Sequence, residues 1–468
     1  MTIQQTRNTI ATLLIIFMGI SNIHAQENIL YFMGNSPQST HLNPAKINDQ
    51  SKLTIGIPLL AGQSFSLNNS FTISEITTVN QNTLYIDLDK LNEKAEDKNH
   101  LWQRYTSNLA DIQWRRENDC FSFSITGNQL LNGSFNNNII SLASKGNAPL
   151  KGKPIHSNFD VNFIHYREFA LGYNRNISEK LTLGGKLKFL TGLSAVDVQK
   201  MELTLETSAD VEYANINAEG NYRLSLPTSM RLENNKINNP FNYLTTASNY
   251  GLAADLGVNY LLNPKIELSA SIINLGFIRW KNEAKTVSHN GSFAWKGFDL
   301  SNMKNLIGYE KEPYTDPFQA FKDSVKELVN FREANNPFTT GIPMYIYFAT
   351  GYTFSESFKA GIVDQVMVFD KQTRNSLTLS GNLNINRFAS ISAGYSIIDK
   401  SFANLSIGTA IKLGPVQIYL LTDNILAINV ANSNTFNIRA GANLMFGTIE
   451  KAPVKTKKHS TRKKNSHH

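Results

Sequence analysis

The sequence predicts an all-β protein, a transmembrane antiparallel β-barrel of about 14 strands, with 16 as the alternative. Three observations carry this: segments of ten to twelve residues that alternate polar and apolar side chains, aromatic residues gathered at segment ends, and an apolar export signal ahead of them. Composition points the same way. Charged residues make up 18% of the 468, against roughly 25% in soluble globular chains, and hydrophobic residues 41%. A mean hydropathy of −0.26 excludes a polytopic helical membrane protein. Ser, Thr, Asn and Gly fill the remaining polar positions.

Residues 1–25 read as a cleavable signal peptide: Arg7, an apolar run over 10–20, and the small-residue end Ile23-His24-Ala25. A segment at 26–50 then precedes the barrel, which is expected over 51–447. Alternation is most regular near the end of the chain. Phe436, Ile438, Ala440, Ala442, Leu444 and Phe446 oppose Thr435, Asn437, Arg439, Gly441 and Asn443. The same period of two runs through 376–386 and 181–189, and short turns such as Asn263-Pro264 and Gly414-Pro415 bound further strands. The aromatic residues read as interface anchors are Tyr173, Tyr260, Trp280, Tyr352, Phe354, Tyr395 and Phe446.

Two helical insertions are expected. Near 87–114, Leu101, Tyr105, Leu109 and Ile112 fall at helical spacing; near 316–333, Asp316-Pro317 opens a run with Phe318, Phe321, Val325 and Leu328 on one side. Residues 448–468 form a basic tail, in which 451–468 carry seven Lys or Arg and no acid. Residues 451–468 and Arg7 account for the whole formal charge of +8, so the rest of the chain is neutral. With no aromatic residue in the tail, nucleic-acid binding is not expected.

Asn43-Pro44-Ala45, just before the first strand, resembles the Asn-Pro-Ala motif of long-chain fatty-acid transport barrels of the outer membrane. Tyr166-Arg167-Glu168 through Leu171-Gly172-Tyr173, Leu183-Gly184-Gly185-Lys186-Leu187 and 273–280 look like an uncharacterised Bacteroidota family related to that FadL-like superfamily. The resemblance covers most of 28–447. It implies fourteen strands around an N-terminal hatch, with Asn43, Pro44 and Ala45 in the hatch. It also implies kinship with barrels that hand over cargo in a secretion system.

The functional expectation is an outer-membrane barrel that binds or passes a small hydrophobic ligand, with Lys186, Lys188, Asp255, Glu267 and Arg439 as candidate lumen residues. A structural or cargo-docking barrel with an envelope protein partner is the alternative, and a barrel hydrolase a remote one. No nucleophile elbow, zinc signature, phosphate loop or dinucleotide fingerprint is present, so no enzyme activity, metal or cofactor is expected. His41, His100, His156, His165 and His289 read as exposed loop or turn residues. Outer-membrane lipid is the remaining expected partner.

Overall fold

The structure is a computed structural model that describes residues 28–33, 36–47, 50–80, 83–210, 213–226, 232–233, 236–237, 248–295, 332–370, 372–385, 388–398 and 401–447. The expected signal peptide, the expected tail and nearly all of the second expected insertion lie outside the described residues.

Fourteen antiparallel strands close into one barrel. In chain order they are β1 (Leu53–Gly56 and Gly62–Asn69), β2 (Asn99–Arg116), β3 (Asp119–Phe135), β4 (Pro154–Asn176), β5 (Leu181–Thr207), β6 (Asn249–Asn263), β7 (Ile266–Trp280), and β8 (Phe338–Gly341 and Met344–Thr353). Then come β9 (Phe358–Phe369), β10 (Gln372–Ile385), β11 (Ala389–Ile398), β12 (Ser401–Leu413), β13 (Val416–Thr422) and β14 (Thr435–Phe446). Closure is made at β1, which pairs with β14 through Leu53↔Phe446 and Phe65↔Ile438 and with β2 through Phe65↔Tyr105. Among the described residues no barrel strand is left with a free edge, which matters because unpaired backbone groups in hydrocarbon cost several kcal/mol each.

The wall is apolar outside and polar inside. Leu187 and Leu171 stand 74% and 67% exposed, while Ser376, Thr378 and Asn437 are 0% exposed. A water-soluble sandwich has the reverse polarity, so the outer face is built for lipid tails.

Two bulges explain where simple periodicity misleads. The 87–114 insertion is helical only at Leu88–Lys94; Asn99–Arg116 is strand β2. A bulge between Asn108 and Ala110 flips side-chain parity: Trp102, Thr106 and Asn108 face inward before it, Asp111 and Gln113 after it. The outward residues therefore fall at 101, 105, 109 and 112, a spacing that imitates a helix. In β7 the extra residue is at Ile273-Asn274, where Asn274 takes φ 63°. Beyond it Trp280 turns inward to complete burial, where its Nε1 donates to Thr340 Oγ1 at 2.9 Å. Trp280 is thus a lumen residue, not the interface anchor expected.

Tight turns join β2–β3, β4–β5, β6–β7, β8–β9 and β12–β13 at the rim that carries Leu53 and Phe446. Long connections gather at the opposite rim. There β5 continues past the barrel and pairs with Ala214–Ser225, which pairs with Ala284–Trp295 and through it with Arg332–Ala334. Arg332 and Glu333, the described end of the second expected insertion, are therefore strand. The helix Asn137–Lys145 packs on this extension through Leu142 against the cluster of Ile155, Leu205, Ile216 and Phe293.

Candidate functional site

Residues 28–33 and 36–47 lie inside the barrel ring. Two short 3-10 helices, Asn28–Tyr31 and Pro37–His41, carry them across the lumen. Ile29, Leu30, Tyr31 and Met33 are at most 2% exposed. Burial of side chains of this size contributes about 1.5–3 kcal/mol each.

Polar contacts tie the segment to walls all round the ring. Asn28 Nδ2 donates to Ser376 Oγ at 2.7 Å and Thr378 Oγ1 at 3.0 Å on β10. Tyr31 OH donates to Ser269 Oγ on β7 at 2.9 Å. Gln38 Nε2 donates to Asn443 Oδ1 on β14 at 2.8 Å, and Gln113 Nε2 on β2 donates to the Pro37 carbonyl at 3.1 Å. Two charge-bearing contacts add to these: His41 Nε2 lies 2.6 Å from Asp111 Oδ2 on β2, and Lys46 pairs with Glu267 on β7.

Asn43-Pro44-Ala45 forms the tight exit of this segment. Asn43 Oδ1 accepts from the Ala45 amide at 2.9 Å, an Asx turn that Pro44 pre-sets through its fixed φ, and Asn43 Nδ2 donates to Tyr31 OH at 2.9 Å. The Pro44 carbonyl accepts from Asn174 Nδ2 at 2.9 Å. Wall glycines make room for the segment. A Cβ at Gly184 would strike the Pro44 backbone, one at Gly257 the Asn43 side chain, and one at Gly361 the Phe32 ring.

Above this segment, toward the long-loop rim, Lys188, Asp255, Glu168 and Asn274 form a buried cluster. Lys188 Nζ is 2.9 Å from Asp255 Oδ2 and 3.5 Å from Glu168 Oε1, and donates to Asn274 Oδ1 at 2.6 Å. The bulge fixes Asn274 so that its amide donates to Asp255 Oδ1 at 2.8 Å and its Nδ2 to the Pro343 carbonyl at 3.2 Å. Of the five candidate lumen residues, the structure brings Lys186, Lys188 and Asp255 together, Lys186 directly opposite Asp255 on the neighbouring strand. Glu267 belongs to the Lys46 pair, and Arg439 lies apart, its Nε donating to Tyr419 OH at 3.4 Å. Glu168 and Asn274 were missed by sequence reasoning; only the bulge gives Asn274 its place.

An apolar and aromatic layer shares the lumen. Trp102, Tyr166, Trp280, Phe338, Tyr345 and Phe369 are buried in one cluster that runs on to Ile29–Met33. Arg374 lies 4.4 Å from the Trp102 ring centre and Arg104 5.1 Å from that of Tyr345. A narrow cleft remains between Arg104, Asn128, Tyr166, Asn274 and Tyr345. The histidines differ from expectation. His100 and His156 begin strands β2 and β4, His165 lies within β4, and His289 is buried at 8% exposure in the sheet extension. His41 is in the lumen. Of the five only His156 is exposed, and all but His41 lie in strands, because long strands extend into what read as loops.

The architecture defines a class: a closed β-barrel with a lipid-compatible exterior, its lumen occupied by the chain's own N-terminal segment. Residues 44–423 match the model of a family of unknown function (DUF5723), and the chain belongs to that family. No curated protein matches it. Among solved structures it is similar to a Pseudomonas aeruginosa FadL homologue, at 9% identity and TM-score 0.41, over 92% of this chain and 100% of that one. It is also similar to the Ralstonia pickettii toluene transporter TbuX (8%, 0.37, 88% and 94%) and the Pseudomonas putida toluene transporter TodX (10%, 0.37, 90% and 93%).

Proposed function

We propose that this protein is an outer-membrane barrel that binds or passes a small hydrophobic ligand, with residues 26–50 acting as a hatch. One observation carries the reading. Inside a lumen walled largely by Ser, Thr and Asn, a single apolar layer leads from Phe338 and Trp280 through Tyr166 and Tyr345 to Ile29–Met33 of the N-terminal segment. A greasy solute moving along it exchanges one apolar contact for another without meeting bulk water. Lys188 and Asp255 flank this layer and supply orientation; Asn43, Pro44 and Ala45 hold the hatch shut. Passage requires the segment to shift, and no bond-making chemistry is part of the proposal.

Entry of N-phenylnaphthylamine, an apolar dye that fluoresces once past the outer membrane, tests this in cells lacking a porin for apolar solutes. Expression of the protein raises the entry rate, and Asn43→Ala, which loosens the hatch, raises it further. Dye entry equal to that of cells with an empty vector, together with co-purified lipid unaffected by Asn43→Ala, overturns the reading. The sheet extension from β5 favours a second reading, a cargo-docking barrel of an envelope complex. A partner recovered at fixed ratio without dye entry supports that one instead.

A further inference from the structure

We infer that the short-turn rim is a binding surface for anionic phospholipid headgroups. Exposed Lys52, Arg116, Arg175, Lys180 and Lys265 gather there, against exposed Glu117, Glu179 and Glu356 and the half-buried Asp119 that faces Arg175. Just inside the turns lies an outward aromatic belt. Trp114, Phe121 and Tyr173 pack in series at 5.8 Å and 5.2 Å between ring centres, the first pair stacked and the second tilted, and Tyr352, Phe354 and Phe358 at 4.7 Å edge-to-face and 5.4 Å tilted. Tyr173 is 44% exposed and its hydroxyl donates to Asp119 Oδ1 at the rim, so the rings have one wet and one greasy side. Such belts sit at the level of lipid headgroups. The lysines on the turns beyond them therefore stand at phosphate depth.

Two further observations give the rim its sign. The chain leaves β14 at this rim, and its sequence over 451–468 has seven basic residues and no acid. At the opposite rim, among the described residues, exposed Lys90, Lys94, Lys98, Lys145, Lys151, Lys153, Lys281 and Arg332 are balanced by exposed Asp89, Glu93, Glu96, Asp97, Glu202, Glu206, Asp210 and Glu333. The positive charge is thus one-sided, complementary to a leaflet that carries anionic phosphates. The inference rests on the membrane reading but not on passage of a ligand.

The test uses the full-length protein in nanodiscs of mixed phosphatidylglycerol and phosphatidylcholine, with bound lipid quantified by mass spectrometry after detergent dilution. Each cation near an anionic surface contributes about fivefold in lipid affinity. The wild type is expected to retain phosphatidylglycerol over phosphatidylcholine by about tenfold or more, less at high salt. The variant Arg116→Gln/Lys180→Gln/Lys265→Gln loses that preference while its mobility on unboiled gels stays that of a folded barrel. Lys90→Gln/Lys94→Gln/Lys98→Gln, at the other rim, keeps it. Equal retention of the two lipids, an unchanged turn variant, an equal loss in the control variant, or tighter binding of soluble polyphosphate than of lipid each overturns the inference. If dye entry fails while lipid preference holds, the transport proposal falls and this one stands.

Discussion

At the scale of single residues, the lumen concentrates its sensitivity in a few side chains with several jobs. Asp255 answers the Lys188 ammonium and the Asn274 amide together. Asp255→Ala leaves a buried cation half-paired and a buried amide without its acceptor, so a stability loss of about 3–5 kcal/mol is expected in urea unfolding followed by tryptophan fluorescence. Gly257 matters for the space it leaves. Any side chain there meets Asn43 and Pro44. Gly257→Val is expected to dislodge the N-terminal segment and speed tryptic cleavage after Lys46 by about tenfold, with the barrel intact, because cleavage tracks the population of the open form.

At the scale of elements, each strand carries a lipid face and a lumen face, and substitutions on the two should differ in cost. On β10, Leu379 is 55% exposed outward while Ser380 is 2% exposed inward. Leu379→Lys is expected to cost about 2–4 kcal/mol in lipid-vesicle unfolding, as for a cation near the bilayer midplane. Ser380→Ala is expected to cost well under half of that, since a methyl group fills nearly the same space. Equal costs would mean that lipid does not cover the outer face. The bulges in β2 and β7 are elements in the same sense: each reverses which residues face the lumen, and without the one in β7 both Trp280 and the Asn274 bridge would be lost to the interior.

For the whole molecule, closure is the property on which everything rests. A sealed ladder resists detergent until heated, so the protein should migrate faster on unboiled than on boiled gels. Deleting residues 26–47 removes contacts to β2, β4, β7, β10 and β14 together but leaves the ladder from Leu53 onward. Planar-bilayer recordings should then show a conductance absent from the full chain, with the gel shift retained. A deletion that never folds would show that the segment is structural core, not a hatch.

The regular strands were legible because lipid outside and polar groups inside impose one rule on every residue: β14 runs over the very residues, Thr435–Phe446, where alternation is cleanest. Alternation also set Lys186, Lys188, Asp255 and Arg439 on the face that the structure turns inward, though it could not say which would meet. What escaped were places where one extra residue breaks the period, as at Asn108–Ala110, where a strand read as a helix. Sequence by itself thus determined a chain of alternating strands with two chemically opposed faces, since side-chain period is a local property of extended backbone. Only tertiary structure decided the closure of β1 on β14, the pairing of Lys188 with Asp255 and Glu168, and the seat of Asn43 against Gly257. Those depend on which distant strands become neighbours, and local periodicity carries no such information.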